Sequence, residues 1–397
     1  MQKRGLALTA SSAVLVLGAG VAIVAFAAPG SHASPVAPVS AANRAATANQ
    51  AAVARPAGPA AALQLASVTP ASGAKGVNGA SPIQVHFSSP LAASSAMPTL
   101  SPKIAGNWKV QGDTAIFTPV VGYFENTRVT VTIPSGMTSA AGVSAGSGGT
   151  LSSAVKTSFS TGSFGTLRLQ QLLAQLGYLP MTWSATSGPA IATSNARAEL
   201  SAAYRAPAGT FSWQGSYPWN LTHQWQAGAA NLLQVGAIQA FESVRGLTMD
   251  GTAGRTVWSD LLSAVTKGQA DPNGYTYALA SQHYPESLKI WHNGRLVFTN
   301  AANTGIPEAP TADGTFPVYL RYYYQIMKGT NPDGSKYADP VYYVAYFNGG
   351  DAVHYFPRYS YGFYQSLGCV ELPFDAAKKA WPYLTYGSLV TVTGPVS

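Results

Sequence analysis

The sequence predicts a multidomain, mainly β chain: a β-sandwich, a small three-helix domain with an insert, and a C-terminal β-rich domain. Three observations carry this. Between about residues 65 and 162, apolar residues alternate in short runs cut by Gly, Pro, Ser and Asn, as in Ile83-Gln84-Val85-His86-Phe87 and Val129-Thr130-Val131-Thr132-Ile133. The period then changes to that of a helix, with Leu169, Leu172, Leu173 and Leu176 on one face. From Asn273 onward strand patterns return, and Asn293-Gly294 between Leu288-Lys289-Ile290-Trp291 and Leu296-Val297-Phe298 is a strong hairpin signal.

At the N-terminus Lys3 and Arg4 precede an apolar run from Leu6 to Ala28 and then the small-residue stretch Pro29-Gly30-Ser31-His32-Ala33. Residues 1–33 therefore read as an export signal, either cleaved or kept as a membrane anchor through residues 6–28, because about 23 apolar residues suffice to span a bilayer. The expected location is secreted or anchored, outside the cytoplasm. Residues 34–64, nearly all small and polar, cannot bury enough apolar surface to order themselves and read as a flexible tether.

Within the sandwich at 65–162, His86 alternates with apolar neighbours and is expected to face solvent. Residues 163–268 form the helical domain. Gly177 stands where a left-handed cap ends the first helix, the second stops at Gly246, and Val257, Trp258, Leu261, Leu262 and Val265 mark the third. The insert at 181–230 is rich in Trp and Tyr, and serves either as a lid packed on the helices or as a stacking surface. Residues 273–397 form the last domain. His292 falls at the Asn293-Gly294 turn and is expected in solvent.

Lys plus Arg exceed Asp plus Glu by 23 to 15, but only 10% of residues are charged and no basic run interleaves with aromatics, which argues against nucleic acid. A diffuse positive charge instead suits residence near a polyanionic envelope. One cysteine permits no intramolecular disulfide, so the domains must hold by packing. Scattered histidines offer no metal-ligand spacing and no phosphate-cradling loop is present, so no metal or cofactor is expected.

That cysteine lies in Ser366-Leu367-Gly368-Cys369-Val370-Glu371-Leu372. On count alone a buried, inert thiol is the favoured reading; its context argues otherwise. A thiol is mostly protonated at neutral pH and needs a base, and His354 ends the apolar run Ala352-Val353 in the same segment. Cys369 is thus the candidate nucleophile and His354 its general base. Gly368 lets the chain turn sharply, so the N–H groups of Gly368 and Cys369 are the candidate oxyanion hole.

These residues resemble the L,D-transpeptidases of the bacterial cell wall, whose catalytic domain carries a Ser-His-Gly-Cys-(Val/Ile)-Arg-Leu type motif after a strand-end histidine. The hairpin at Leu288–Phe298, Thr304-Gly305 and Thr311-Ala312-Asp313-Gly314-Thr315-Phe316 are similar to the family's opening pieces, in the family's order. The resemblance implies a thioester on Cys369 formed from a peptidoglycan stem peptide, then passed to an acceptor amine. It further implies that the Tyr355 carbonyl orients His354, that Ser366 and Leu367 meet substrate, and that carbapenem-type inhibitors acylate the thiol. Leu367 and Glu371 depart from the family's histidine and arginine, and Glu371 is expected either to oppose the thiolate or to face solvent. A hydrolase, or a wall-binding protein with a degenerate catalytic domain, is the alternative. Upstream, Ser67-Val68-Thr69-Pro70 with Gly73 and Gly76 resembles bacterial immunoglobulin-like modules. Leu173-Ala174-Gln175-Leu176-Gly177-Tyr178, with Ala240-Phe241-Glu242 and Asp250-Gly251, resembles the three-helix peptidoglycan-binding domain.

Overall fold

The computed structural model describes residues 61–140, 149–186 and 194–394. The apolar segment 6–28 and the tether up to residue 60 lie outside them, and no helix among the described residues is long and apolar enough to cross a membrane.

The N-terminal strands are β1 (Leu65–Thr69), β2 (Ile83–Phe87), β3 (Thr99–Ser101), β4 (Gly106–Gln111), β5 (Thr114–Pro119), β6 (Arg128–Ile133) and β7 (Val155–Ser160). They form a four-stranded sheet in the order β1-β2-β5-β4 and a three-stranded sheet in the order β3-β6-β7. Period-two alternation sends Ile83, Val85 and Phe87 of β2 and Val129, Val131 and Ile133 of β6 into one buried core between them. His86 lies on the outer face but is not free in solvent: Thr114 Oγ1 lies 2.8 Å from its Nδ1, half-burying the ring.

The helices are α1 (Thr166–Gln175), α2 (Ala196–Tyr204), α3 (Trp219–Thr222), α4 (Leu232–Arg245) and α5 (Arg255–Lys267). Gly246 and Gly268 end α4 and α5 in the left-handed conformation, where a side chain would be strained. The described parts of the insert carry regular elements. They build the hairpin of β8 (Met181–Ala185) and β9 (Gly209–Trp213) and the helix α2, started by Asn195, whose side chain accepts from the Ala198 N–H. A fully buried Arg168–Glu199 ion pair fastens α2 to α1. Trp213, Tyr217 and Trp225 pack against the helical core, whereas Trp219 is exposed and stacked on His223.

The C-terminal domain contains β10 (Thr276–Ser281), β11 (Ser287–His292), β12 (Arg295–Ala301), β13 (Gly314–Pro317), β14 (Leu320–Thr330), β15 (Lys336–Asn348), β16 (Asp351–Tyr355), β17 (Val370–Leu372), α6 (Phe374–Ala380) and β18 (Leu389–Thr393). One sheet runs β12-β11-β10-β18-β13 and the other β14-β15-β16-β17, with a common core between them and α6. Asn293 and Gly294 both have positive φ, as the two-residue turn joining β11 and β12 requires. His292 departs from expectation. It ends β11 rather than sitting in the turn, and its half-buried ring lies 3.0 Å from Thr276 Oγ1. Pro317 ends β13, an edge strand, where its missing N–H interrupts no ladder.

The three regions are tied together by side chains. Asn78 donates to Ser201, Arg197 to the Ala80 carbonyl and Tyr204 to the Tyr123 carbonyl, joining sandwich to helices. Helix α4 meets the C-terminal domain so closely at Gly236 that a Cβ there would lie 2.5 Å from the Gly387 carbonyl oxygen.

Candidate active site

The site grows from the parallel pairing of β16 and β17, in which Val353 faces Val370 and His354 faces Glu371. Side chains alternate across such a pair. Val353, Val370 and Leu372 enter the main core. The opposite set, Ala352, His354, Cys369 and Glu371, is turned to the other face, where Ala352 and Cys369 pack with Val341 and Val344. Continuing the register by one residue sets Cys369 level with Ala352, so thiol and imidazole share a face, one alternation apart.

Both residues line a cavity of about 440 Å³. Its far wall is the long β14–β15 hairpin, through Gln325, Met327, Tyr337, Asp339 and Val341; its floor holds Asp351, Arg358, Leu367 and Glu371. Of the described histidines, only His354 reaches this cavity. No residue of the insert lines it, so among the described residues the insert is not a lid over this site.

The His354 ring is buried, and its Nδ1 lies 2.9 Å from the Tyr355 carbonyl oxygen. A carbonyl only accepts, so Nδ1 carries the proton and Nε2 is the free base. Burial pulls the imidazole below its usual pKa, against the raising effects of the Tyr355 carbonyl and Glu371. The Cys369 thiol is pushed up to about 12, by burial first and then by the carboxylates of Asp351 and Glu371, with the Ala352 N–H acting in the opposite sense. Both partners at rest are therefore neutral. The sulfur lies 3.7 Å from the Gly350 carbonyl and 4.0 Å from Met327 Sδ, and among the described residues it makes no hydrogen bond to the imidazole.

Three expectations change. The Gly368 N–H, expected in an oxyanion hole, donates to Ser366 Oγ at 3.2 Å, because the turn folds back on that hydroxyl. The Cys369 N–H enters none of the turn's backbone hydrogen bonds among the described residues. Ser366, expected to meet substrate, is buried and spends its own O–H on the Cys369 carbonyl at 2.6 Å, so it braces the loop from inside. Glu371 neither faces solvent nor stands unpaired beside the thiol. Arg358 donates to it twice, Nε to Oε2 and Nη2 to Oε1, each at 2.8 Å, and Nη2 also reaches the Gln365 carbonyl at 2.8 Å. Leu367 does line the cavity.

Asp351, Arg358 and Met327 were missed by sequence reasoning. An acid directly ahead of an apolar strand, and a lone arginine shortly after its histidine, were the available signals for the first two. Nothing local marked Met327. Among the described residues no group of His, Cys, Asp and Glu is placed to hold a metal ion.

Against family models, residues 277–392 match the L,D-transpeptidase catalytic domain and residues 59–161 match a bacterial Ig-like domain. No curated protein matches the sequence. Among solved structures, the chain is similar to an L,D-transpeptidase from Mycobacterium smegmatis at 14% identity, covering 84% of this chain and 99% of that one, with a TM-score of 0.28. It is similar to L,D-transpeptidase 3 from Mycobacterium tuberculosis in complex with a faropenem-derived adduct at 15% identity, covering 83% and 98%, TM-score 0.28. The catalytic domain of the Enterococcus faecium L,D-transpeptidase matches at 26% identity over 30% of this chain and 96% of that one, TM-score 0.28.

Proposed function

We propose that this chain, whose C-terminal region is an L,D-transpeptidase catalytic domain and whose N-terminal strands form a bacterial Ig-like domain, is an exported cysteine acyltransferase that cross-links peptidoglycan. The observation that carries the reading is the common face of β16 and β17, which presents the only thiol of the chain and a buried neutral imidazole to one cavity. Nε2 of His354 takes the thiol proton as Sγ attacks the carbonyl carbon of a stem peptide, so no free thiolate need accumulate at a thiol held near 12. The oxygen of the tetrahedral intermediate gains charge, and the Cys369 N–H is the donor assigned to it. Collapse breaks the C–N bond, the leaving amine takes the proton from His354, and a thioester remains on Sγ. An acceptor amine from a second stem then resolves it.

The Ig-like domain and the helical domain act in this reading as a spacer that carries the catalytic domain to the wall, with residues 163–268 as the wall-docking part. The test is intact-mass measurement after exposure to a carbapenem: one adduct on Cys369 supports the reading. Labelling of Cys369 by iodoacetamide without any carbapenem adduct would transfer the chain to the wall-binding alternative. Products from a stem peptide with and without an acceptor amine separate transferase from hydrolase.

A further inference from the structure

Asp351 is a carboxylate that the first half of this reaction does not want. It precedes Ala352 on β16, between the two residues whose backbone groups meet the sulfur: the Gly350 carbonyl lies 3.7 Å from Sγ, and the Ala352 N–H points toward it. Its Oδ2 accepts two long hydrogen bonds, from the Ala312 N–H at 3.3 Å and Asn348 Nδ2 at 3.4 Å. Its Oδ1 accepts none among the described residues and is pressed against Gly368, where an added Cβ would lie 2.5 Å from it. The carboxylate lines the same cavity as Cys369 and His354. Negative charge here opposes a developing thiolate and adds to the burial that chiefly raises the thiol.

The second half of the reaction reverses that sign. Once Sγ is acylated it bears no charge, and the incoming acceptor is an ammonium ion in neutral solution. We propose that Asp351 is the residue that docks the cationic acceptor amine beside the thioester and takes its first proton. This rests on the thioester reading above. The step balances: the ammonium gives one proton to the Asp351 carboxylate, its nitrogen attacks the thioester carbon, the C–N bond forms and the C–S bond breaks. The nitrogen's second proton passes through His354 Nε2 to the departing sulfur, and protonated Asp351 then returns its proton to water. Opposite charges a few ångströms apart near a protein surface attract, which favours a cationic acceptor over a neutral one at this position.

The experiment uses the full chain and its Asp351→Asn variant, which keeps the side chain's shape and an acceptor for the Ala312 N–H; Asp351→Ser serves as a second variant, and thermal melting reports whether each folds. A synthetic donor peptide with a C-terminal D-alanine after an L-centre is offered with n-butylamine, cationic in neutral solution, or with hydroxylamine, which is neutral there. The expected result is a loss of at least about tenfold in transfer to n-butylamine, a much smaller loss with hydroxylamine, and carbapenem acylation that becomes faster. Equal losses with both acceptors, or no loss with n-butylamine, overturn the assignment while leaving the thioester reading intact. Absence of any adduct on the unaltered chain overturns both.

Discussion

Arg358 holds Glu371 through two hydrogen bonds of 2.8 Å, and Glu371 is the register partner of His354 across the β16–β17 pair. The Glu371 side chain is 5% exposed and that of Arg358 28%. The backbone of Glu371 is fixed as well, exchanging hydrogen bonds with Asn303 in both directions. A residue that looked like an unfavourable departure beside the nucleophile is therefore half of a built ion pair, and the arginine that this position lacks is supplied thirteen residues earlier in the chain.

Removing one partner should cost more than removing both. Arg358→Met leaves a buried carboxylate unpaired and is expected to destabilise the domain by roughly 2–3 kcal/mol, somewhat less than a fully buried pair because the guanidinium is partly wet. Arg358→Met with Glu371→Leu should recover most of that loss. Urea unfolding of the two variants measures the difference.

Replacing the reacting groups tests the chemistry directly. Cys369→Ala should abolish the carbapenem adduct, and His354→Gln should slow its formation by roughly 10² to 10⁴, the usual loss on removing a positioned base. Intact mass against time reads both, and melting curves confirm that the variants fold.

The pH dependence follows from two neutral partners. The working base is unprotonated imidazole, so acylation falls as pH drops through the His354 pKa, which burial has lowered. The acid limb should therefore lie below the ordinary histidine value of about 6.5. Iodoacetamide needs a thiolate and receives no help from a substrate-bound geometry. With the thiol near 12, its rate should be slow at neutral pH and keep climbing through the alkaline range. A plateau already at neutral pH would mean a preformed thiolate–imidazolium pair instead.

Gly368 should tolerate no side chain. Its φ is +108°, and a Cβ would collide with the Asp351 carboxylate, so Gly368→Ala must either shift the nucleophile's turn or expel Asp351. A lowered melting temperature together with at least about a tenfold loss of acylation is expected, since small displacements of a reacting atom are costly. Circular-dichroism melts and the mass assay check the two parts.

What was readable in advance was local. The turn at Asn293-Gly294 is specified by the positive φ that those residues accept, and the glycine that ends α4 by the same rule. The alternation of Val353 and His354 already divided β16 into a core face and another face. Helix α2 escaped because Leu200 is its only large aliphatic among small alanines that leave a faint period, and what holds it is packing of Leu200 and Ala203 on the helical core together with the Arg168–Glu199 pair between distant segments.

Taken alone, the order of residues settled the period of each element, the punctuation between them and the one thiol with a histidine nearby, because each of these follows from bonds and sterics within a few residues. Tertiary structure decided what each polar group around the thiol is used for. Whether Ser366 faces a cavity or its own loop, whether Glu371 is paired, and that Asp351 rests on Gly368 all depend on contacts between segments brought together only by the sheet. Charge and hydrogen bonding act through space, so their partners cannot be read from spacing along the chain.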